Sequence, residues 1–240
     1  MKLKFVEKRD EAEGTKSFFF EPEKPIKYTA GQYYYFTLPK LNYPDPRGTT
    51  RHFTLSSSPT EGNNIRITTR IRQESGYKKT LDELKPGDVI EGEGPNGSFV
   101  LNESAKNQQV FLAGGIGITP FRSIIKYASD KGLTIPIHLI YSNSTVEQIT
   151  YRKELTELAS KYSSFLKIDM TVSKPEESRE KWTGIVGRID ENLITKLTSS
   201  YVKPTYWLCG PPPMVDALEI SLSKLKIPGN QIILEKFTGY

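Results

Sequence analysis

The stretch VFLAGGIGITPFRSI, residues 110–124, decides the fold of the second half of the chain. An apolar run leads into glycines and the start of an apolar-patterned helix, with Gly114, Gly115, Gly117, Thr119 and Pro120 at the junction. Glycines let the backbone approach a ligand and reach positive φ, and free N–H groups at a helix start favour a phosphate. The stretch matches neither G-x-G-x-x-G nor G-x-x-x-x-G-K-[ST]. A dinucleotide loop, another phosphate loop and a tight packing turn therefore all stay open from this stretch alone.

Strands and helices alternate after about residue 104, a pattern typical of a parallel sheet that helices cover on both faces. The sequence predicts strands in QQVFLAG, IPIHLIYS, FLKIDMTVS, TYWLCG and NQIILEKF, and helices over 119–130, in QITYRKELTELASKY, in IDENLITKLTS and over 211–226. Ligands bind such sheets at the carboxyl ends of the strands. Because YWLCGPPPMV, residues 206–215, also runs into a Gly/Pro turn, we expect the two turns to face each other across one crevice.

The first hundred residues are predicted to form an antiparallel barrel or sandwich. Short runs rich in β-branched and aromatic residues follow one another at regular spacing: KLKFVEKR, TKSFFFEP, GQYYYFTLP, TRHFTLSSSP, NIRITTRIR and DVIEGEGP. One short helix is expected at 78–84. The polar segment NESAKN, residues 102–107, separates the two patterns, so we predict two domains, 1–104 and 105–240.

The composition restricts the class of protein and its compartment. The chain has 33 Lys and Arg against 28 Asp and Glu, a net charge of +5. This mild excess suits an anionic ligand or an acidic protein partner, and no dense basic stripe indicates nucleic acid. Cys209 is the single cysteine, so neither a disulfide nor a four-thiolate cluster forms within the chain. With no secretory signal and no apolar run long enough to span a bilayer, we expect a cytoplasmic protein without a bound metal.

Several short motifs stand in order along the chain. They are RHFT at 51–54, GYKKT at 76–80, GPNGSF at 94–99, GGIGITP at 114–120, CGPPPM at 209–214 and EKF at 235–237. In order and spacing they resemble the flavin, flavin-phosphate, nucleotide and C-terminal motifs of the ferredoxin–NADP⁺ reductase family, the flavin-plus-pyridine-nucleotide reductases. The resemblance covers essentially the full length of the chain.

The resemblance implies an N-terminal antiparallel β-barrel that binds flavin and a C-terminal α/β doubly wound parallel sheet that binds the nucleotide. FAD is the implied cofactor, with FMN as the less favoured alternative. Arg51 is implied to pair with the flavin phosphate, Phe53 to lie against the isoalloxazine and Thr54 to lie near flavin N5. The other implied flavin residues are His52, Thr69, Arg70, Ile71, Gly76, Tyr77, Lys78, Lys79 and Thr80. The family usually has Tyr where Phe53 stands, so one hydroxyl contact, worth about 0.5–1.5 kcal/mol, is lost.

The resemblance also implies a pyrophosphate cradle and a nicotinamide site. The implied nucleotide residues are Gly114, Gly115, Gly117, Thr119, Pro120, Ser142, Asn143, Ser173, Lys174, Gly210, Pro211 and Met214. Cys209 and Glu235 are implied to lie beside the nicotinamide and to form the catalytic set with Thr54 and Phe237. Phe237 matches the aromatic residue that covers the flavin face, and Tyr240 competes with it for that role.

The implied activity is hydride transfer from NAD(P)H to flavin, followed by electron delivery to a separate acceptor. The mild positive charge suits ferredoxin or flavodoxin, while a separate oxidoreductase component and free flavin are further candidates. The Ser-Lys pair at 173–174 resembles the Ser-Arg pair of NADPH-using branches, so NADPH is favoured and NADH stays open. Two other functions are considered: an electron-transfer subunit of a larger complex, and a nucleotide-binding domain that has lost flavin.

Overall fold

Six antiparallel strands form the first half of the chain. The structure, a computed structural model, describes residues 1–237. The strands are β1 (Lys2–Ala12), β2 (Thr15–Pro22), β3 (Tyr33–Thr37), β4 (Thr50–Thr54), β5 (Ile65–Arg70) and β6 (Val89–Asn96), and helix α1 (Gly76–Asp82) separates β5 from β6 along the chain. Their order in the sheet is β4-β3-β6-β1-β2-β5. All six predicted strands are confirmed, and the helix begins two residues earlier than expected.

The two edge strands of this sheet approach each other and close it into a barrel. The backbone N–H of Ser56 donates to the carbonyl of Arg66 at 2.7 Å, and Leu55 and Ile67 form an antiparallel bridge. Alternate residues of the strands point inward, as the period of two requires. The interior is largely aromatic and includes Phe5, Phe18, Phe20, Tyr34, Phe36 and Phe53. The predicted barrel is therefore confirmed.

A parallel sheet forms the second half, as predicted. Its strands are β7 (Gln109–Gly114), β8 (Ile137–Asn143), β9 (Leu166–Val172), β10 (Ile185–Val186), β11 (Thr205–Gly210) and β12 (Ile232–Lys236). The helices are α2 (Ile118–Lys131), α3 (Arg152–Lys161), α4 (Glu191–Thr198) and α5 (Pro212–Lys224). All strand pairs are parallel, in the order β10-β9-β8-β7-β11-β12.

The four helices cover both faces of this sheet. Phe121 of α2 and Leu155 of α3 belong to the core on one face, whereas Ile194 of α4 and Leu218 of α5 belong to the core on the other. The chain turns back at β7, because β8 lies on one side of it and β11 on the other. This is the topological switch point at which doubly wound sheets bind ligands.

Two elements differ from the sequence prediction. Helix α3 begins at Arg152 rather than near residue 148, because Tyr151 has a φ of 61° and this left-handed residue ends the preceding irregular turn. Strand β10 was not predicted, because two residues are too few to show an alternating pattern. Helix α5 begins at Pro212, consistent with the preference of proline for the first turn of a helix.

Candidate functional site

The glycine turn after β7 packs directly against the end of β11. A Cβ on Gly117 would overlap the carbonyl oxygen of Cys209, and a Cβ on Gly114 would overlap the Sδ atom of Met214. The two turns that the sequence placed across one crevice are therefore in contact. At Gly117 the backbone of the facing turn requires glycine, whereas at Gly114 a methyl group would have to displace the Met214 side chain.

Gly115 is the glycine of this turn that leaves room for a ligand. Its φ is +51°, and nothing lies within 4 Å of the position that a Cβ would take. Its two neighbours in the motif are thus packing glycines, while Gly115 combines a left-handed backbone with open space. The turn is consequently both a packing turn and an accessible loop at a helix N-terminus.

Alanine substitutions in this turn are expected to differ strongly in cost. Gly117→Ala places a methyl group on the backbone of β11, which cannot move aside, so we expect a loss of about 3 kcal/mol or more in unfolding free energy. Gly115→Ala costs about 1–2 kcal/mol through its positive φ alone. Gly114→Ala meets only the flexible Met214 side chain and costs less than Gly117→Ala. Urea unfolding of the three variants tests this order, and equal losses for Gly114→Ala and Gly117→Ala would contradict it.

A cavity of about 440 Å³ opens at this turn and is lined by both halves of the chain. Thr15 and Arg70 line it from the barrel, opposite Gly115 of the parallel sheet. Of the predicted nucleotide residues it includes Gly114, Gly115, Ser142, Asn143, Ser173, Pro211 and Met214. Arg70, predicted to line the flavin, thus faces the same cavity as the predicted nucleotide loop.

Two arginines of the cavity wall were not predicted from the sequence. Arg72 follows β5, and Arg188 follows the short strand β10. No motif surrounds either residue, so only the sheet order could have located them. Lys174, which the sequence favoured, is instead half-exposed and paired with Glu177 at 2.7 Å. None of the described residues that line the cavity is acidic.

Buried polar atoms without partners test whether a nucleotide fits this cavity. Asn143 is 5% exposed, and neither its amide nitrogen nor its amide oxygen has a partner in hydrogen-bonding geometry within residues 1–237. Buried amides are almost always hydrogen-bonded in native proteins. An amide that lines a cavity with both groups unpaired fits a polar ligand, so the residues present suit a nucleotide.

The same test supports a flavin on the barrel side. The hydroxyls of Thr54 and Thr69 are buried and make no hydrogen bond to any described residue. Thr54 ends β4, and Thr69 lies in β5, which contacts the glycine turn at 115–117. Both residues were predicted to line the flavin. Their unpaired hydroxyls suit a ligand with several acceptors and donors, such as the flavin ring.

Arg51 is held by a carboxylate of the chain itself. Its Nη2 donates to Asp45 at 2.6 Å, and its Nη1 donates to the carbonyl oxygens of Arg47, Gly48 and Thr50 at 2.8, 3.0 and 2.7 Å. Both side chains are nearly buried, at 9% and 5% exposure. The predicted partner of Arg51 was a flavin phosphate, so a protein anion already lies where that phosphate was expected.

Asp45 also accepts hydrogen bonds from the start of α1. The backbone N–H of Tyr77 donates to it at 3.0 Å, the Ser75 hydroxyl at 3.2 Å and the backbone N–H of Arg47 at 3.0 Å. Burial alone would raise the pKa of Asp45, but these hydrogen bonds and the charge of Arg51 lower it. Asp45 is therefore an ionised carboxylate in a site built for an anion.

The remaining predicted flavin residues make other contacts within the first half of the chain. The ring of Tyr77 is buried, its hydroxyl donates to the Phe36 carbonyl at 2.9 Å, and its backbone N–H donates to Asp45. Phe53 is 3% exposed, with its ring centroid 6.0 Å from that of Tyr77. Three of these residues contact the segment 42–44: Gly76 lies against the carbonyls of 43–44, the Thr80 hydroxyl accepts from the Asn42 N–H, and Lys79 lies over the Tyr43 ring. Ile71 packs on the barrel core, and the His52 ring contacts the rings of Tyr33 and Tyr35.

Lys78 is a buried cation in the same region. It is 4% exposed, and burial together with the nearby Arg72 charge lowers its pKa to about 7. A negatively charged group bound near Lys78 would raise its pKa and favour the protonated form. This lysine therefore suits an anionic group beyond the one at Arg51.

Cys209 and Glu235 lie side by side at the ends of β11 and β12. Burial raises the pKa of the Cys209 thiol, and the charge of Glu235 adds to the shift. Burial also raises the pKa of Glu235 to about 7. The charge of Glu235 contributes to the raised pKa of Tyr33 as well, after a hydrogen bond with Tyr35 and burial. The Glu235 carboxyl group thus lies near Tyr33 of the barrel and Cys209 of the parallel sheet. Tyr33 was not among the site residues predicted from the sequence.

The other predicted residues lie around the two turns. The Thr119 hydroxyl donates to the Ile116 carbonyl at 3.1 Å, and Pro120 is buried in the first turn of α2. Gly210 accepts from the Phe237 N–H at 3.0 Å, and Phe237 is 5% exposed within the core. Tyr240, the competing aromatic residue, lies outside the described residues.

Comparison with known proteins agrees with this geometry. Residues 2–101 match the oxidoreductase FAD-binding domain, and residues 111–219 match the oxidoreductase NAD-binding domain. The chain belongs to the ferredoxin–NADP⁺ reductase family. It accordingly has an FAD-binding and an NAD-binding domain of the oxidoreductase type, and its cofactors are FAD and a nicotinamide nucleotide. The implied family and cofactors are confirmed.

Curated relatives of this reductase family are similar over much of the chain. The phenol hydroxylase P5 protein of Acinetobacter pittii is 27% identical over 97% of the chain and 64% of its own length. The reductase component of propane 2-monooxygenase from Rhodococcus jostii is 29% identical over 80% of the chain and 53% of its own length. NADH-cytochrome b5 reductase 1 of Dictyostelium discoideum is 32% identical over 70% and 58%. The chain thus spans about half to two thirds of these relatives.

Solved structures of the family share the fold. The cytochrome b5 reductase domain of Ulva prolifera nitrate reductase has a TM-score of 0.81 at 22% identity, covering 98% of the chain and 96% of that domain. A ferredoxin–NADP⁺ reductase from Neisseria gonorrhoeae with bound FAD and NADP has a TM-score of 0.77 at 19% identity, covering 98% of both.

Residues 1–237 contain neither a candidate membrane span nor a candidate metal site. No helix there combines the length and apolar character that crossing a membrane requires. Within the same residues, no three His, Cys, Asp or Glu side chains are grouped so that they could hold a metal ion.

Proposed function

We propose that the chain is an NADPH-dependent reductase that reduces FAD and passes electrons to a separate protein acceptor. The observation that carries the proposal is the cavity at the switch point, whose walls come from both the barrel and the parallel sheet. Hydride transfer needs the two rings in contact. A cavity shared by the two halves supports such contact.

In this proposal residues 1–104 hold the flavin and residues 105–240 hold the nucleotide. FAD, when bound, supplies a hydride acceptor and releases electrons to the acceptor protein. The unpaired hydroxyls of Thr54 and Thr69 hydrogen-bond to the flavin, and Arg51 and Lys78 bind its phosphates. On the opposite side, Gly115 binds the nucleotide pyrophosphate through its backbone.

The visible spectrum of the purified protein tests this proposal. We expect a yellow protein, or one that turns yellow with FAD, which NADPH bleaches faster than NADH in the absence of oxygen. A protein that stays colourless after incubation with FAD and with FMN would refute the flavin assignment. It would favour a nucleotide-binding role instead.

The NADPH preference rests on Arg188 rather than on Lys174. Arg188 lines the cavity beside Ser173, whereas Lys174 is engaged by Glu177. We expect Arg188→Gln to raise the KM for NADPH by about 10- to 100-fold, the worth of one charge-assisted hydrogen bond, with the KM for NADH unchanged. Lys174→Gln is the matched control and should change the KM for NADPH less. An equal rise for both nucleotides in Arg188→Gln would exclude a contact to the 2′-phosphate.

The proposed acceptor is the oxidoreductase component that the reductase serves. Two of the similar proteins above are named as reductase or P5 components of hydroxylating enzymes, which supports an oxygenase component as acceptor. The net charge of +5 also suits an acidic ferredoxin or flavodoxin. Reduction of each candidate by the flavin-loaded protein, measured at low and high salt, separates these acceptors.

Free flavin is a second candidate acceptor, favoured by the Arg51–Asp45 pair. Because Asp45 already fills the anion site, a flavin phosphate must displace it, which weakens the retention of flavin. A flavin that dissociates during gel filtration while the protein reduces added FMN would support this candidate. Retention of stoichiometric FAD would favour the protein acceptor.

A further inference from the structure

Arg122 joins the helix that follows the glycine turn to both halves of the chain. It lies on α2, and its guanidinium is 3% exposed. Nη2 donates to Glu61 at 2.8 Å, Nη1 donates to the Ser56 carbonyl at 3.0 Å, and Nε donates to Glu154 at 3.1 Å. Nη1 also donates to Glu61, and Nη2 also donates to Glu154. Glu61 and Ser56 belong to the barrel, whereas Glu154 belongs to α3 of the parallel sheet.

Ser123, the residue after Arg122, also contacts the barrel half of the chain. The Ser123 hydroxyl donates to the Ser57 carbonyl at 2.6 Å. The segment 56–61, which follows β4 after Leu55, is therefore fixed to α2 at two adjacent positions, Arg122 and Ser123. The hydrogen bonds to the Ser56 and Ser57 carbonyls are buried, so solvent and salt screen them little, whereas the Glu61 side chain is 24% exposed.

These contacts connect the two candidate binding regions by very short paths. Thr54, with its unpaired hydroxyl, is two residues before Ser56, and Thr119 of the glycine turn is three residues before Arg122. A shift of α2 relative to segment 56–61 would move the two regions apart. Misplacement of reacting groups by about 1 Å can cost about 100-fold in rate.

We propose that Arg122, through Glu61, is a positioning residue that sets the alignment of the flavin and nicotinamide sites. The proposal rests on the proposed function, and it assigns to an ion pair remote from the cavity a role in the rate of hydride transfer. Glu154 anchors the same guanidinium within the second half. Of the two carboxylates that hold Arg122, Glu61 lies in the barrel half and Glu154 in the second half.

Glu61→Gln and Glu154→Gln form a matched pair for the test. The two carboxylates are similarly exposed, at 24% and 29%. Each substitution removes one charged partner of Arg122 and leaves an amide oxygen that can still accept a hydrogen bond. We expect Glu61→Gln to slow single-turnover reduction of the flavin by NADPH by about 10- to 100-fold. Dissociation constants for FAD and NADPH should change by less than about threefold, and Glu154→Gln should leave the rate nearly unchanged.

Hydrogen exchange of the flavin-free protein gives a readout that does not need activity. Glu61→Gln should speed hydrogen exchange in segment 56–61 and in the first turns of α2, whereas Glu154→Gln should speed exchange in α3. Two outcomes would overturn this inference while leaving the proposed function intact. They are equal slowing of flavin reduction in both variants, and an unchanged reduction rate in a Glu61→Gln protein that still binds FAD. Failure of the unsubstituted protein to bind any flavin would instead overturn the proposed function, and with it the inference.

Discussion

Arg51→Met is expected to lower the free energy of unfolding by about 3–5 kcal/mol. The substitution leaves the buried Asp45 carboxylate without its cationic partner, and breaking a buried pair from one side has this cost. Asp45→Asn together with Arg51→Met should recover most of the loss, because neither charge then remains. Urea unfolding of the two single variants and the double variant forms a complete cycle. Additive losses would show that the pair is not coupled.

Substitutions of Arg51 and Asp45 are expected to change the affinity for FAD in opposite directions. Arg51→Met removes the proposed phosphate ligand and should weaken FAD binding. Asp45→Asn removes the competing anion, so a flavin phosphate can neutralise Arg51 without displacing a carboxylate. We expect its dissociation constant for FAD to fall about 10-fold, which corresponds to about 1.4 kcal/mol.

Titration calorimetry with FAD and with riboflavin separates a phosphate effect from an effect on the ring site. Riboflavin lacks phosphate, so its affinity should not change in Asp45→Asn. If FAD binds Asp45→Asn no more tightly than the unsubstituted protein, the flavin phosphate does not bind at Arg51. Thermal unfolding with and without FAD provides the stability control for each variant.

The local patterns that predicted the fold are those that depend on short stretches of sequence. Alternation in runs such as TKSFFFEP predicted each barrel strand, and the apolar runs at 109–114 and 205–210 predicted central strands of the parallel sheet. The glycine motif predicted the turn at the switch point. Its three glycines look alike in sequence, but only the packing shows that Gly114 and Gly117 face the β11 turn while Gly115 is open.

Contacts between distant segments could not be predicted in this way. Asp45 lies in an irregular loop and meets the start of α1 about 30 residues later, so nothing local marks it as an anion in the flavin region. Arg122 reads in sequence as one polar residue of an amphipathic helix, yet its partner Glu61 is 61 positions away. Arg188 reaches the cavity because β10 pairs with the end of β9.

Glu235 is expected to make the stability of the flavin-free protein depend on pH. Burial raises its pKa to about 7 in the folded protein, against 4.5 for an unburied glutamate. Between these values the folded state holds the proton that the unfolded state has released, so unfolding free energy falls as pH rises. The contribution is fully present below about pH 4.5 and is lost as the pH rises through about 7. The total difference is about 3 kcal/mol.

Glu235→Gln removes this ionisation while keeping the size of the side chain. Its unfolding free energy should lack this decrease between pH 5 and pH 8, so at pH 8 it should exceed that of the unsubstituted protein by up to about 3 kcal/mol. Glu157→Gln, at a position 66% exposed on α3, is the control and should keep the slope of the unsubstituted protein. Parallel curves for Glu235→Gln and the unsubstituted protein would show that the carboxyl group titrates normally.

The resemblance implies that the nicotinamide ring lies beside Cys209 and Glu235, and with the ring there this carboxyl group links pH to nucleotide binding. The nicotinamide ring of the oxidised nucleotide is cationic and that of the reduced nucleotide is neutral. An ionised Glu235 therefore attracts the oxidised form, and a cation nearby in turn favours ionisation. We expect the dissociation constant of NADP⁺ to fall as the pH rises through about 7, with no such change for Glu235→Gln. A pH dependence that survives in Glu235→Gln would place the nicotinamide ring away from this residue.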